Sequence, residues 1–330
     1  MVKLELAIDM GTSFTSVFQK GAGLVLREPS VAVTGEEERL LAVGEQAKRL
    51  IGKTQPGQKV VFPVTEGMIS APATAARMLE QFLLRVVPDH LSRPRIKALL
   101  CIPCGSSAQD RASFEETACD AGIRDVLLVE SPVCTALGLG VPLSSDSPIM
   151  VVDIGGGKTE IAVVSKAGML AGCTVSIGGN NADIAIVDYV EGEFGFRVGL
   201  QTAEKAKIEV ASLYLNDTSA TLIGGMESTT QAPRSMVLTS RMIYDILEYC
   251  YGNIVEKVSD VLATLPSEVA GDVSRRGIYL CGGASAVAGL GKIMSKVLKI
   301  PVITVEEPAL CTVMGAGKLL ASRELLNSLV

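Results

Sequence analysis

Val151-Val152-Asp153-Ile154-Gly155-Gly156-Gly157-Lys158-Thr159-Glu160 decides the fold. An apolar run, Pro148 to Val152, leads into Asp153, and a second one, Ile161-Ala162-Val163-Val164, follows the three glycines. The pattern reads as strand, tight turn, strand, with bare backbone at the tip. Glycine has no Cβ, so N–H groups in such a tip can close on a bulky anion such as a polyphosphate. A carboxylate at the strand end repels phosphate but can hold Mg²⁺ or its water shell. Taken alone, a glycine-rich turn is most often only a turn.

The same device occurs near the start. Leu4 to Phe18 reads as strand, Asp9-Met10-Gly11-Thr12 turn, strand. Two such hairpins in the two halves of one chain predict two related domains whose tips grip one nucleotide from both sides. The pair is far more specific than either loop.

A chain of 330 residues accommodates two domains. With 48% hydrophobic and 20% charged residues it has ample core material. No apolar run reaches the roughly 18 residues of a membrane span, and the N-terminus enters a strand pattern without a signal peptide. A cytoplasmic protein is expected. The net charge of −6 argues against a nucleic-acid surface. The eight cysteines are scattered, with one close pair, Cys101 and Cys104, so they read as reduced core residues rather than a zinc site. The single histidine, His90, lies in a polar loop and offers no catalytic triad.

Along the chain, short strands to Val33 form a meander, and Leu41 to Gly52 reads as a strand and a helix. Helices are expected over 71–87 and 106–122, the latter capped by Ser106 or Ser107. Strands at Ile96–Pro103 and Val126–Glu130 alternate with them, and Pro132 suits the first turn of a helix ending at Gly138. The second half repeats the alternation. A strand spans 170–177, helices start near Ala182 and Thr202, strands cover 218–225 and 234–239, and a long helix runs 240–265 with a weak point at Gly252. A strand then enters the turn Gly282-Gly283-Ala284-Ser285, followed by a helix from Gly289, a strand at 301–305 and a helix over 308–321. Such alternation gives an α/β sheet covered on both faces.

Asp9-Met10-Gly11-Thr12, Asp153-Ile154-Gly155-Gly156-Gly157 and Cys281-Gly282-Gly283-Ala284 resemble the two phosphate motifs and the adenosine motif of the actin-like ATPase superfamily. Within it the chain is similar to the MreB family of bacterial actins. Leu24 to Val31, Ala42 to Gly52, Arg93-Pro94-Arg95, Thr202 to Glu209 and Val313 to Lys318 carry that likeness, which covers nearly the whole chain in order. It implies an α/β actin-like fold: two related ribonuclease-H-like domains around a nucleotide cleft, each with a small inserted subdomain. Domain I would span 1–145 with an insert at about 33–68. Domain II would span 146–312 with an insert at about 182–246. The last helix, about 313–330, would return to domain I.

The resemblance also implies roles. Asp9 and Asp153 would organise Mg²⁺ through water. Gly11, Thr12 and Ser13 would wrap the β-phosphate of ATP or ADP from one side, and Gly155, Gly156 and Gly157 from the other. Glu204 and Lys207, one helical turn apart, would reach the ribose and adenosine, although alone they read as a solvated helix pair. Gly282, Gly283 and Ala284 would let the backbone approach the adenine. Four positions depart from the family. Ser131 stands where a glutamate usually helps position the attacking water. Glu130, one residue earlier, should face the other way. Lys158 replaces a threonine, and a charged ammonium cannot act as a base. Losing a proton-handling group costs about 10²–10⁴-fold in rate, so ATP hydrolysis is expected to be slow or absent. Asn180 and Asn181 replace acidic residues.

The first functional expectation is a cytoskeletal ATPase that forms head-to-tail filaments of itself and contributes to cell shape. Its expected partners are cell-shape or envelope-synthesis proteins, with no nucleic acid. A weak contact with the inner face of the membrane would rest on Val86, Val87 and Leu91 in the 85–94 loop, whose other reading is a helix end tucked into the core. The second expectation is a non-polymerising nucleotide switch that binds a protein partner, to which Ser131 and Lys158 lend weight. The third is a small-molecule kinase of the same fold. A chaperone role would need a substrate-binding domain that does not follow Val330.

Overall fold

In the computed structural model of the chain, which describes residues 3–87, 94–143, 147–322 and 324–326, two five-stranded sheets share one topology. In the first, Lys3–Met10, Phe14–Gln19 and Gly23–Pro29 form an antiparallel meander, and Arg95–Ile102 and Asp125–Glu130 add in parallel on the other side of Lys3–Met10. In the second, Ile149–Ile154, Thr159–Ser165 and Gly168–Val175 form the meander, and Ile278–Cys281 and Val302–Thr304 add in parallel. The two hairpins read from sequence are thus the first two strands of two equivalent sheets.

Both faces of each sheet are buried, which explains the continuous apolar runs of the central strands. Leu6, Ile8 and Leu100 pack on one side with Met78 and Phe82 of the helix Pro72–Val86. Ala7, Leu99 and Cys101 face the other way, onto Cys134, Ala316 and Leu319. Val152, Ile154 and Ile161 pack beneath Ile186, Val190, Leu247 and Ile254. A three-stranded sheet, Phe196–Arg197, Ala220–Glu227 and Pro233–Thr239, lies beyond that core, and another, Ala32–Thr34, Leu40–Val43 and Lys59–Val61, lies beside the first.

Helix Ser131–Gly138 joins the two halves. Its Val133 and Cys134 pack against the first sheet and its Ala136 against the second. Helix Cys311–Ala321 crosses it at backbone contact: a Cβ on Gly315 would lie 1.7 Å from the Cys134 carbonyl oxygen, and one on Gly138 would lie 1.9 Å from that of Cys311.

Several element limits differ from the sequence expectation. Ser107, not Ser106, caps Ala108–Asp120, in a capping box with Asp110. The helix after Leu41 is a single turn, Glu45–Lys48. Ser240–Thr264 runs straight through Gly252, because the apolar stripe Ile243, Leu247, Tyr251, Ile254, Val258 holds it on the core. The sequence reading omitted helix Ser267–Arg276, whose signal was Pro266 followed by Val269 and Val273 one turn apart. Helix Gly179–Phe194 begins three residues earlier than expected, for a reason given below. His90 and Leu91 lie outside the described residues, while Val86 and Val87 pack against the first core. No described helix is long and apolar enough to cross a membrane.

The helix crossing yields a stability prediction. Gly315→Ala should destabilise the fold by about 2 kcal/mol, since the added methyl has only backbone to displace. Urea denaturation checks it, and an unchanged midpoint would contradict the packing.

Candidate functional site

The two glycine turns are closed in the same way. The Gly11 N–H donates to the Phe14 carbonyl at 3.0 Å, and the Gly155 N–H to the Lys158 carbonyl at 2.9 Å. Strand register makes Asp9 and Asp153 equivalent, paired with Ser16 and Glu160 respectively. The turns also meet tip to tip. A Cβ on Gly156 would lie 1.9 Å from Ser13 Oγ, and one on Gly157 2.7 Å from Thr12 Oγ1. Side chains there would hold the tips apart.

Around this junction lies a cavity of about 520 Å³. Every residue singled out from the motifs lines it: Asp9, Gly11, Thr12, Ser13, Ser131, Asp153, Gly155, Gly156, Gly157, Lys158, Glu204, Lys207, Gly282, Gly283 and Ala284. Glu160 and Arg27, which the motif reading passed over, line it too. Glu160 had a signal: it sits opposite Asp153 in the hairpin, and directly opposed residues share a face. Gly282 has φ +83, and its would-be Cβ would sit 2.2 Å from the Ile154 carbonyl oxygen, so a bare backbone passes over the end of the strand that carries Asp153.

Burial dominates the electrostatics. Asp9 is pushed up to about 7, chiefly by desolvation, with Asp153 and Glu160 adding to the rise and Lys158 opposing it. Asp153 is also raised, first by burial and then by Glu160, against Lys158 and two hydroxyls. Those hydroxyls, Thr135 and Thr312, each donate to Asp153 Oδ2 at 3.0 Å. Lys158 is clasped to Glu160, whose Oε1 also accepts from the Cys104 N–H at 2.8 Å. Ser131 Oγ donates to the Ile102 carbonyl at 3.0 Å. Glu130 faces away, as strand alternation requires, and takes Arg111 Nη2 at 3.1 Å.

Glu204 and Lys207 differ in surroundings. Glu204 is half-buried and reaches across the cleft to Lys48 Nζ at 2.9 Å, where Gln201 also donates to the Lys48 carbonyl at 2.7 Å. Lys207 is buried against Asp183 at 2.8 Å and donates to the Gly179 carbonyl at 2.7 Å. The early start of helix Gly179–Phe194 follows from its first N–H groups. Gly179 and Asn180 donate to the Gly155 and Gly156 carbonyls at 2.9 and 2.7 Å, and Asn181 Oδ1 accepts from the Gly178 N–H at 2.8 Å. The Asn pair thus ties that helix to the glycine turn, with Asn180 lining the cavity.

Paired meander-and-crossover sheets, with two Asp-Gly hairpin tips meeting over one cavity, define an actin-like fold with a composite cleft. The family described as MreB/Mbl protein matches residues 3–328. The cell shape-determining protein MreB of Escherichia coli (strain K12) is 36% identical over 326 residues, covering 97% of this chain and 94% of that protein. The cell shape-determining protein Mbl of Bacillus subtilis (strain 168) is 32% identical over 329 residues, covering 99% and 98%. The chain belongs to the MreB/Mbl family. The crystal structure of MreB5 of Spiroplasma citri bound to ADP superposes with a TM-score of 0.90 at 26% identity, covering 96% of each chain. The MamK double helical filament, at 20% identity, shares the fold with a TM-score of 0.82, covering 97% of this chain and 99% of that one.

The Lys207–Asp183 pair gives a pH prediction. Burial already raises Asp183, and Lys207 opposes the rise. Lys207→Met leaves a buried carboxylate alone, at a cost of about 3 kcal/mol near neutral pH. Asp183 then rises further. A raised folded-state value makes stability fall as pH climbs from the unfolded value through the folded one, so the deficit should shrink toward pH 4. Denaturation midpoints of both proteins at pH 5 and pH 8 check it, and an equal deficit at both contradicts it.

Proposed function

We propose that the chain is an ATP-binding bacterial actin that assembles into filaments, contributes to cell shape and hydrolyses ATP slowly. The observation that carries this reading is the pair of identically closed glycine turns meeting over one cavity, each backed by a half-buried carboxylate at the strand end. The MreB5 relative solved with ADP and with AMPPNP supports a nucleotide as the occupant. Family membership supports the cell-shape role. The domain division 1–145 and 146–312, with the last helix returning to the first, accompanies this reading, as does a cytoplasmic location.

Gly11, Thr12 and Ser13 on one side and Gly155, Gly156 and Gly157 on the other take the phosphates. Glu204, Lys207, Gly282, Gly283 and Ala284 take the nucleoside. Asp9 and Asp153 fit a divalent ion. They are hard oxygen donors, and burial beside Glu160 leaves them with a negative potential that a cation relieves. Among the described residues no group of three or more His, Cys, Asp or Glu forms a full metal cage. Mg²⁺ is commonly held by one or two carboxylates together with waters and phosphate oxygens, which matches the two aspartates. When bound, it supplies neutralisation of phosphate charge. Filling the cleft bridges both halves, so the subunit's closure and its head-to-tail contacts become nucleotide-dependent.

Slow hydrolysis follows from occupied groups. The Ser131 proton is committed to the Ile102 carbonyl, Glu130 to Arg111 and the Lys158 ammonium to Glu160. None of these is placed to deprotonate a water: a serine hydroxyl is no base, Glu130 faces away and the Lys158 ammonium is held charged beside Glu160. Phosphate release by the wild type should therefore be near background, and Ser131→Glu with Lys158→Thr should raise it by about 10-fold or more. Wild-type turnover that the double substitution fails to raise would contradict the account. In parallel, sedimentation with Mg-ATP and electron microscopy of the pellet should show filaments. Binding without any polymer, across salt and concentration, would favour the nucleotide switch that the altered Ser131 and Lys158 also suit.

A further inference from the structure

Three cations line the cavity: Arg27, Lys158 and Lys207. Two are held by carboxylates, Lys158 by Glu160 and Lys207 by Asp183. Arg27 has no ion-pair or hydrogen-bond partner among the described residues. Its neighbour Glu28 points off the opposite strand face, to Arg85 Nη1 at 2.9 Å and the Glu45 N–H at 2.7 Å, and so does not neutralise it.

Register fixes where Arg27 stands. Asp9 pairs with Ser16 and Ser16 with Arg27, so the three form one row across three strands, on one face, and all three line the cavity. Two strand spacings put the Arg27 backbone about 10 Å from that of Asp9, within reach of a long side chain aimed back along the row. The guanidinium is already oriented. It lies 3.8 Å from the centroid of the Phe14 ring, and Phe14 closes the first glycine turn through its carbonyl. Stacking on that ring limits the rotamer freedom that a contact would otherwise have to remove.

A partly desolvated guanidinium without a counter-anion is itself a cost, and burial lowers its pKa. The carboxylates that line the same cavity, Asp9, Asp153 and Glu160, act with Lys158, and none of them pairs with Arg27. We propose that Arg27 is a binding residue for the phosphate chain of the nucleotide, contacting its anionic oxygens from the first-sheet side. A planar donor fork suits phosphate oxygens. This rests on the nucleotide reading above and adds a residue that lies outside the glycine motifs.

The test measures binding of ATP, ADP and adenosine, by calorimetry or by displacement of a fluorescent nucleotide, to the wild type and to Arg27→Gln. Loss of a hydrogen bond to a charged group predicts about 10- to 100-fold weaker ATP and ADP binding, with adenosine affinity within twofold. Thermal melting without nucleotide should not fall, because Arg27 is exposed and its guanidinium has no ion pair or hydrogen bond to lose among the described residues. Unchanged affinity for all three ligands, or an equal loss for adenosine, overturns the proposal. A wild type that binds none of the three would instead overturn the nucleotide reading on which it rests.

Discussion

The crossing of helices Ser131–Gly138 and Cys311–Ala321 is the constraint on which the site depends. Gly138 and Gly315 remove the side chains that would keep the two backbones apart. At that spacing the Thr135 and Thr312 hydroxyl oxygens lie 2.9 Å apart, and each stands 3.0 Å from Asp153 Oδ2. One helix is wedged between the sheets and the other packs on the first sheet, so the orientation of a second-sheet carboxylate is set by first-sheet packing. Movement between the halves is therefore felt directly at Asp153.

The duplicated hairpin shows how one scaffold gives two unlike walls. Backbone closure and strand register are the same in both, yet Ser16 faces Asp9 where Glu160 faces Asp153, and Phe14 stands where the other turn has Lys158. The first wall presents an aromatic ring with a guanidinium on it, the second a buried ion pair. Charge in the cleft is thus distributed asymmetrically by a few side chains on a symmetric backbone.

How much was legible in the sequence follows from range. The Asp-Gly turns, the apolar strands and most helices are local patterns, and their residues do come together around one cavity. The direction of Glu130 was legible from strand alternation alone, and it meets Arg111 as that alternation requires. The commitments that govern the chemistry are longer in range. The reach of Lys48 to Glu204 spans 156 residues, and the Ser131 hydroxyl meets a carbonyl 29 residues away. No periodicity encodes these. Arg27 carried no local signal, because its place in the cavity wall depends on the register of three strands, and the Asn180-Asn181 pair had no account until the glycine turn was seen to supply the acceptors for its helix.

The central claim is that one nucleotide bridges the two glycine turns. A crystal structure of the chain grown with Mg²⁺ and a non-hydrolysable ATP analogue tests it most directly. The account predicts phosphate density between Gly11–Ser13 and Gly155–Gly157, with the nucleoside against Glu204 and Gly282. An empty cleft at saturating analogue, or a nucleotide bound to one half only, would contradict it.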